Sequence, residues 1–190
     1  MYWLGATAPN TVGGRRAHPP KPEKIWKIKV NKQERKKAIR SALAATLDLN
    51  LVRERGHKIE YLVPVIDSKF EEIKNTKEVK KIFLLLKLED ELQRVKQKKI
   101  RAGIGKTRGT KYKTKVGPLI VVSKNCAVEK AAKNVSGIDI CRVNNLNTEK
   151  LAPGTLPGRL TIFTQEALQV MKQQKLFFSS KKQQKKGKDE

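Results

Sequence analysis

Apolar residues recur at four-residue spacing at Ile39, Leu43, Leu47 and Leu51, with Ala38, Ala42 and Ala45 beside them. That period predicts an amphipathic helix, starting at the capping-box pattern Asn31-x-x-Glu34 and ending near Gly56. Upstream, Pro9, Gly13, Gly14, Pro19, Pro20 and Pro22 suppress helix and strand alike, so residues 1–30 are expected to be extended. Downstream, the run from Lys58 to Ile66 predicts a strand, with Pro64 pointing to an edge or a bulge. Thr76 is placed to cap a helix with Val79, Ile82, Phe83 and Leu86 on one stripe, and a further helical stretch passes through Leu92 and Val95. Pro118-Leu119-Ile120-Val121-Val122 is a short apolar run typical of a buried parallel strand. A helix over 127–134, a strand over 138–143, a turn near Thr148, a strand over 159–163 and a helix from Thr164 complete the order. Strand and helix alternate four times. The expected fold is therefore α/β: an open, mainly parallel four-stranded sheet flanked by helices, with an extended N-terminal arm segment and a basic tail.

Charge changes the picture more than composition does. At 190 residues and 38% hydrophobic, the chain supports one packed body with appendages. Its 43 Lys and Arg against 18 Asp and Glu leave a net charge of +25. A compact fold with that charge repels itself unless a polyanion neutralises it, which makes nucleic acid the first partner to consider. The charge is also unevenly placed. Residues 1–58 hold fourteen basic and four acidic side chains, whereas 59–91 carry six lysines against eight acids. Residues 96–117 then hold nine cations and no acid, and 181–190 add five lysines. A near-neutral body with three basic extensions suits a globular anchor that reaches into RNA. In the first helix the cations Lys32, Arg35, Lys36, Lys37 and Arg40 crowd the opening turns, against the helix dipole; an external phosphate is the natural relief, solvation of that end the plainer alternative.

Other chemistries find little support. No apolar run is long enough to span a bilayer, no secretory signal is apparent at the start, and no membrane partner is expected. Cys126 and Cys141 lack metal-ligand spacing and read as small core residues of an intracellular chain. Gly105-Lys106-Thr107 resembles the end of a phosphate-binding P-loop, but Ile100 stands where the motif needs its first glycine. The Gly103–Gly109 stretch reads instead as an RNA-binding loop, whose glycines admit a close backbone approach to phosphate. His18 and His57 have no nucleophile or carboxylate at diagnostic spacing. Glu89-Asp90-Glu91 reads as a solvated helix start. Trp3, Trp26 and Tyr112 lie in or beside basic extensions, where a ring either stacks on a base or tacks the extension to the body. No enzyme activity, cofactor or metal is expected.

Gly13-Gly14-Arg15-Arg16-Ala17-His18-Pro19-Pro20-Lys21, followed by Asn31-Lys32 and by Ala38-Ile39-Arg40-Ser41-Ala42, resembles the large-subunit ribosomal protein four family in its archaeal and eukaryotic form. Three more stretches carry the resemblance: from Arg101-Ala102-Gly103 to the run Gly117–Ser123, Glu129-Lys130-Ala131-Ala132-Lys133-Asn134, and from Asn145-Leu146-Asn147 to Leu151-Ala152-Pro153-Gly154-Thr155-Leu156-Pro157-Gly158-Arg159-Leu160. The resemblance implies a structural component of the large subunit in the cytoplasm. Such a protein binds 23S-type rRNA, acts in subunit assembly, touches neighbouring large-subunit proteins, and sends an arm towards the peptide exit tunnel. On that basis the expected rRNA contacts are Arg15, Arg16, His18, Lys21, Lys24 and Lys27 in the arm and Lys32, Arg35, Lys36 and Arg40 in the first helix. Lys98, Lys99, Arg101, Lys106, Arg108, Lys111, Tyr112 and Lys113 complete the set, while Tyr2, Trp3, Leu4 and Gly5 point towards the tunnel. The implied domain plan is the returning limb of the arm at 1–30, a body at 31–178 with a basic insertion at 96–117, and a disordered basic tail at 179–190. The family normally has a substantial part before this point. A separate chain supplying that part, a start codon placed too late and a shortened protein each fit the departure.

Overall fold

The computed structural model describes residues 12–14 and 16–178, which divide into two compact units, Met1–Val30 and Asn31–Glu190. In the first unit, residues 16–30 form neither helix nor strand and every side chain is exposed. A turn closed by the Lys24 N–H on the Lys21 carbonyl, at 3.2 Å, is its local order.

The second unit opens with two helices where the apolar period predicts one. Helix α1 (Lys32–Ala45) and α2 (Leu49–Glu54) are separated by Thr46, Leu47 and Asp48. The Thr46 hydroxyl donates to the Leu43 carbonyl at 2.7 Å, and Asp48 accepts from the Asn50 N–H at 2.9 Å, capping a new helix. Short polar side chains of this kind compete with the helical ladder, and here they win. Asn31 does occupy the position before α1, but its side chain makes no capping bond.

The strand predicted over 58–66 contracts to β1 (Val65–Ile66). Side chains consume the backbone groups that a longer ladder needs. Arg53 takes the Ile59 and Glu60 carbonyls at 3.2 and 2.8 Å, and Glu91 takes the Lys58 N–H at 3.0 Å. Pro64 offers no N–H, although its carbonyl accepts from Phe163 at 2.8 Å.

Helices α3 (Thr76–Leu85) and α4 (Glu89–Lys96) follow, with Asn75 in place of Thr76 at the cap position. Thr76 donates instead to the Ala131 carbonyl at 3.1 Å. The basic stretch is not a loop but an antiparallel ribbon, β2 (Lys99–Ile100) with β3 (Tyr112–Lys113). Beyond it lie β4 (Leu119–Val122), α5 (Val128–Lys133), β5 (Asp139–Arg142), α6 (Thr148–Leu151), β6 (Thr161–Thr164) and α7 (Gln165–Gln173). Thr164 caps α7, accepting from the Ala167 N–H at 3.3 Å.

The sheet runs β1-β6-β4-β5, with every pairing parallel. All four β4 side chains are buried, because helices cover both faces. Alternation sends Ile120 and Val122 to one core with Val79, Phe83, Val128 and Ala132. Leu119 and Val121 go to the other, with Ile39, Ala42, Leu151 and Ala167. Among the described residues, no helix is long and apolar enough to cross a membrane.

Both roots of the ribbon are clamped by close packing. A Cβ on Gly117 would stand 2.2 Å from the Gly137 carbonyl oxygen, and one on Gly137, at φ +77°, would stand 1.7 Å from Val95 Cγ1. Gly137→Ala therefore meets both backbone strain and overpacking. It should cost about 2–4 kcal/mol, seen as a lower urea midpoint at unchanged slope.

Candidate nucleic-acid interface

The ribbon concentrates cations because its pairing forces them together. Lys99 stands opposite Lys113, and Ile100 opposite Tyr112. Like charges directly across a ladder repel, so this arrangement favours a bound anion. The far end turns through the 3₁₀ segment Ile104–Thr107, flanked by Gly103 and Gly109 at φ +75° and +80°. These left-handed positions suit glycine, and the bulk-free turn lets a polyanion approach the backbone. Arg101 holds the two limbs together, donating from its backbone to Lys111 at 2.9 Å and from Nε to the Thr110 carbonyl at 3.0 Å.

Lys98, Lys99, Arg101, Lys106, Arg108, Lys111, Tyr112 and Lys113 are all exposed. Among the described residues, no cation of 96–117 lies within ion-pairing distance of a carboxylate. The Lys111 ammonium stands 5.7 Å from the Tyr112 ring centre. Tyr112 is 53% exposed, as a ring that stacks on a base must be.

The other expected contacts fall in separate places. Arg16, His18, Lys21, Lys24 and Lys27 lie in the first unit, all exposed, with the Lys24 ammonium 4.6 Å over the Trp26 ring. Lys32 and Arg35 are exposed on the first turns of α1. Lys36 and Arg40 on the same helix are partly spent on the fold, donating to the Phe178 and Phe177 carbonyls at 3.2 and 3.1 Å. Arg15, the tunnel-directed Tyr2, Trp3, Leu4 and Gly5, and residues 179–190 lie outside the described residues.

What anchors the ribbon was not legible as a motif. The Glu89-Asp90-Glu91 cluster is only in part a solvated helix start, since Glu91 is fully buried. Its carboxylate accepts from His57 Nδ1 at 2.7 Å, from Lys58 N–H at 3.0 Å, and from Arg94 Nε and Nη2 at 2.7 and 2.6 Å. Burial alone would raise the Glu91 pKa, but the bonds from Arg94 and His57 hold it below its ordinary 4.5. His57 Nε2 accepts from the Leu160 N–H at 3.3 Å, which leaves Nδ1 as the donor to Glu91. Arg94 also reaches the Val116 carbonyl at 2.7 Å, tying the returning limb of the ribbon to α4. Arg159, buried and ion-paired to Asp139, donates to the Gly117 carbonyl at 2.9 Å. The i,i+3 spacing of Glu91 and Arg94 was the available signal for this network; Arg159 had none.

An open α/β sheet offers its ligand crevice outside the strand carboxyl ends, where neighbouring connections leave on opposite faces. Here that place lies between β4 and β6, since α5 and α7 pack in different cores. It is filled from within by the buried Glu71 carboxylate. Glu71 accepts from the Ser123 N–H at 2.9 Å, the Ser123 hydroxyl at 2.6 Å, Cys126 Sγ at 2.8 Å, and the Thr164 hydroxyl. Burial and the adjacent carboxylate push the Cys126 thiol up to about 11, the reverse of what a nucleophile needs. Cys141 is buried in the second core, and Cys126, half-buried, packs against the first while donating to Glu71.

A model of the ribosomal protein L4/L1 family matches residues 5–174. The large ribosomal subunit protein uL4 of Nanoarchaeum equitans is 50% identical over 179 residues, covering 94% of this chain and 67% of the relative. The protein of the same name from Methanosphaera stadtmanae is 48% identical, covering 86% of this chain and 65% of the relative. That from Archaeoglobus fulgidus is 47% identical, with 86% and 66% covered. The chain thus spans about two thirds of the length of these relatives. With the family model matched over residues 5–174 and relatives at about half identity over most of the chain, the kinship is settled: the chain belongs to the ribosomal protein L4/L1 family.

Proposed function

We propose that the chain is a structural, non-enzymatic protein of the large ribosomal subunit that binds 23S-type rRNA by neutralising phosphates. The observation that carries this reading is the exposed ribbon, whose region holds nine cations without an acid and without a carboxylate partner among the described residues. A surface of that kind is self-repelling until a polyanion covers it. The names of the archaeal relatives support the same assignment. Arg16, His18, Lys21, Lys24 and Lys27, with Arg15 beside them, extend the contact along the arm. Lys32 and Arg35 add the opening turns of α1, with Lys36 and Arg40 shared between RNA and fold. Tyr2, Trp3, Leu4 and Gly5 lead the arm towards the peptide exit tunnel, the lysines of residues 179–190 add cationic charge for the same polyanion, and the chain supports subunit assembly in the cytoplasm beside neighbouring large-subunit proteins. The relatives give no support to a separate chain supplying a preceding part.

Sedimentation of a native extract on a high-salt sucrose gradient tests the reading. The chain is expected with the large subunit. A chain that stays at the top of the gradient would return it to the free nucleic-acid binders.

A further inference from the structure

A second cationic surface lies at the root of the ribbon. A cleft of about 480 Å³ opens between the ribbon and the turn at 153–157, with Arg55, Arg94, Lys99, Lys113 and Lys115 on its walls. That volume falls within the ~300–1,000 Å³ of small-ligand sites. Two of these cations share one face by geometry: Lys99 and Lys113 are directly opposed across the ladder. Lys115 lines the same cleft, with its ammonium donating to Gln97 Oε1 at 3.4 Å.

Arg55 is fixed at the opposite wall, donating to the Pro153 carbonyl at 2.7 Å and the Pro157 carbonyl at 3.2 Å. Arg94 is held from behind by Glu91 and the Val116 carbonyl. Its Nη1 has no hydrogen-bond partner among the described residues, yet no buried side-chain nitrogen there is unsatisfied, so Nη1 keeps a contact with solvent although the side chain is only 11% exposed. The carboxylate that Arg94 pairs with, Glu91, is fully buried and already accepts four bonds. Burial above all, and then the nearby Arg159 and Arg94 charges, pushes the Arg55 guanidinium below its ordinary value. One edge of the cleft is apolar instead, with Leu156 63% exposed.

We propose that this cleft takes one nucleotide of an RNA strand, its phosphate on Arg94, Lys99, Lys113 and Lys115 and its sugar and base edge against Leu156. The proposal rests on the rRNA reading and extends it from the ribbon to the body. A strand is the fitting ligand because the cations continue from the cleft along the ribbon, and a free anion would leave both that row and the apolar edge uncovered.

Lysine acetylation footprinting, read by mass spectrometry on the full chain alone and bound to large-subunit rRNA, tests it. Lys99, Lys113 and Lys115 should lose reactivity at least tenfold on binding, while Lys77 and Lys81 on α3 stay reactive. The double variant Lys99→Gln, Lys115→Gln should flatten the log–log salt dependence of binding by about 1.5. Undiminished reactivity of Lys115 in a complex that protects Lys106 and Lys111 would overturn the cleft and leave the rRNA reading standing. Failure to protect Lys106 and Lys111 would remove both.

Discussion

Exchanging Lys106, Arg108, Lys111 and Lys113 for glutamine should flatten the log–log dependence of rRNA affinity on salt by about 3. Each phosphate contact contributes roughly 0.7–0.9 to that slope. Between 200 and 50 mM salt, the affinity gap between parent and variant should therefore widen about 60-fold. The body should be untouched. All four side chains are exposed, and none pairs with a carboxylate among the described residues, so unfolding should stay within about 0.5 kcal/mol of the parent. A filter-binding titration across salt concentrations, with a urea melt beside it, reads both halves. A slope equal to the parent's would take the ribbon out of the interface.

The largest expected loss of stability comes from Glu91→Ala. This removal strands the Arg94 guanidinium, His57 Nδ1 and the Lys58 N–H at once, in a site where the carboxylate is fully buried. Breaking a buried pair from one side costs about 3–5 kcal/mol, a large share of the ~5–15 kcal/mol that holds a domain together. Glu91→Gln keeps the shape and loses the charge, and should cost less, about 1–3 kcal/mol.

The same carboxylate sets a pH dependence. Glu91 and Glu71 are both held below the ordinary 4.5, because the hydrogen bonds they accept outweigh the opposing effect of burial. Their contribution is complete above pH 4.5 and is lost as pH falls below it, through the folded-state values. Urea midpoints measured from pH 7 down to pH 3 should fall most steeply below about 4.5, and in Glu91→Gln that decline should be shallower.

The elements that could be read directly are those whose signal is local. Pro118 to Val122 is an unbroken apolar run, and it forms the central strand buried on both faces. The stripe at Val79 and Phe83 forms α3, and Thr164 caps α7. Where the reading failed, a side chain had competed for the backbone, whether a near neighbour or one from a distant helix. The predicted helix over 31–56 divides where Thr46 and Asp48 take backbone groups for themselves. The strand over 58–66 shortens because Arg53 and Glu91 occupy its carbonyls and N–H.

The candidate interface divides along the same line. Charge needs no fold to be counted, so the nine cations of 96–117 and the acid-free start of the chain were visible in the sequence by itself. With them came the α/β class and, through specific motifs, the family. Only the tertiary structure decided that the basic stretch is a ribbon with Lys99 facing Lys113, that Lys36 and Arg40 are partly spent on the chain's own carbonyls, and that Glu91 is buried under His57 and Arg94. The reason is that the ladder, the carbonyl contacts and the His57–Glu91 bond join residues 14 to 142 positions apart in the chain, separations at which no local period carries information.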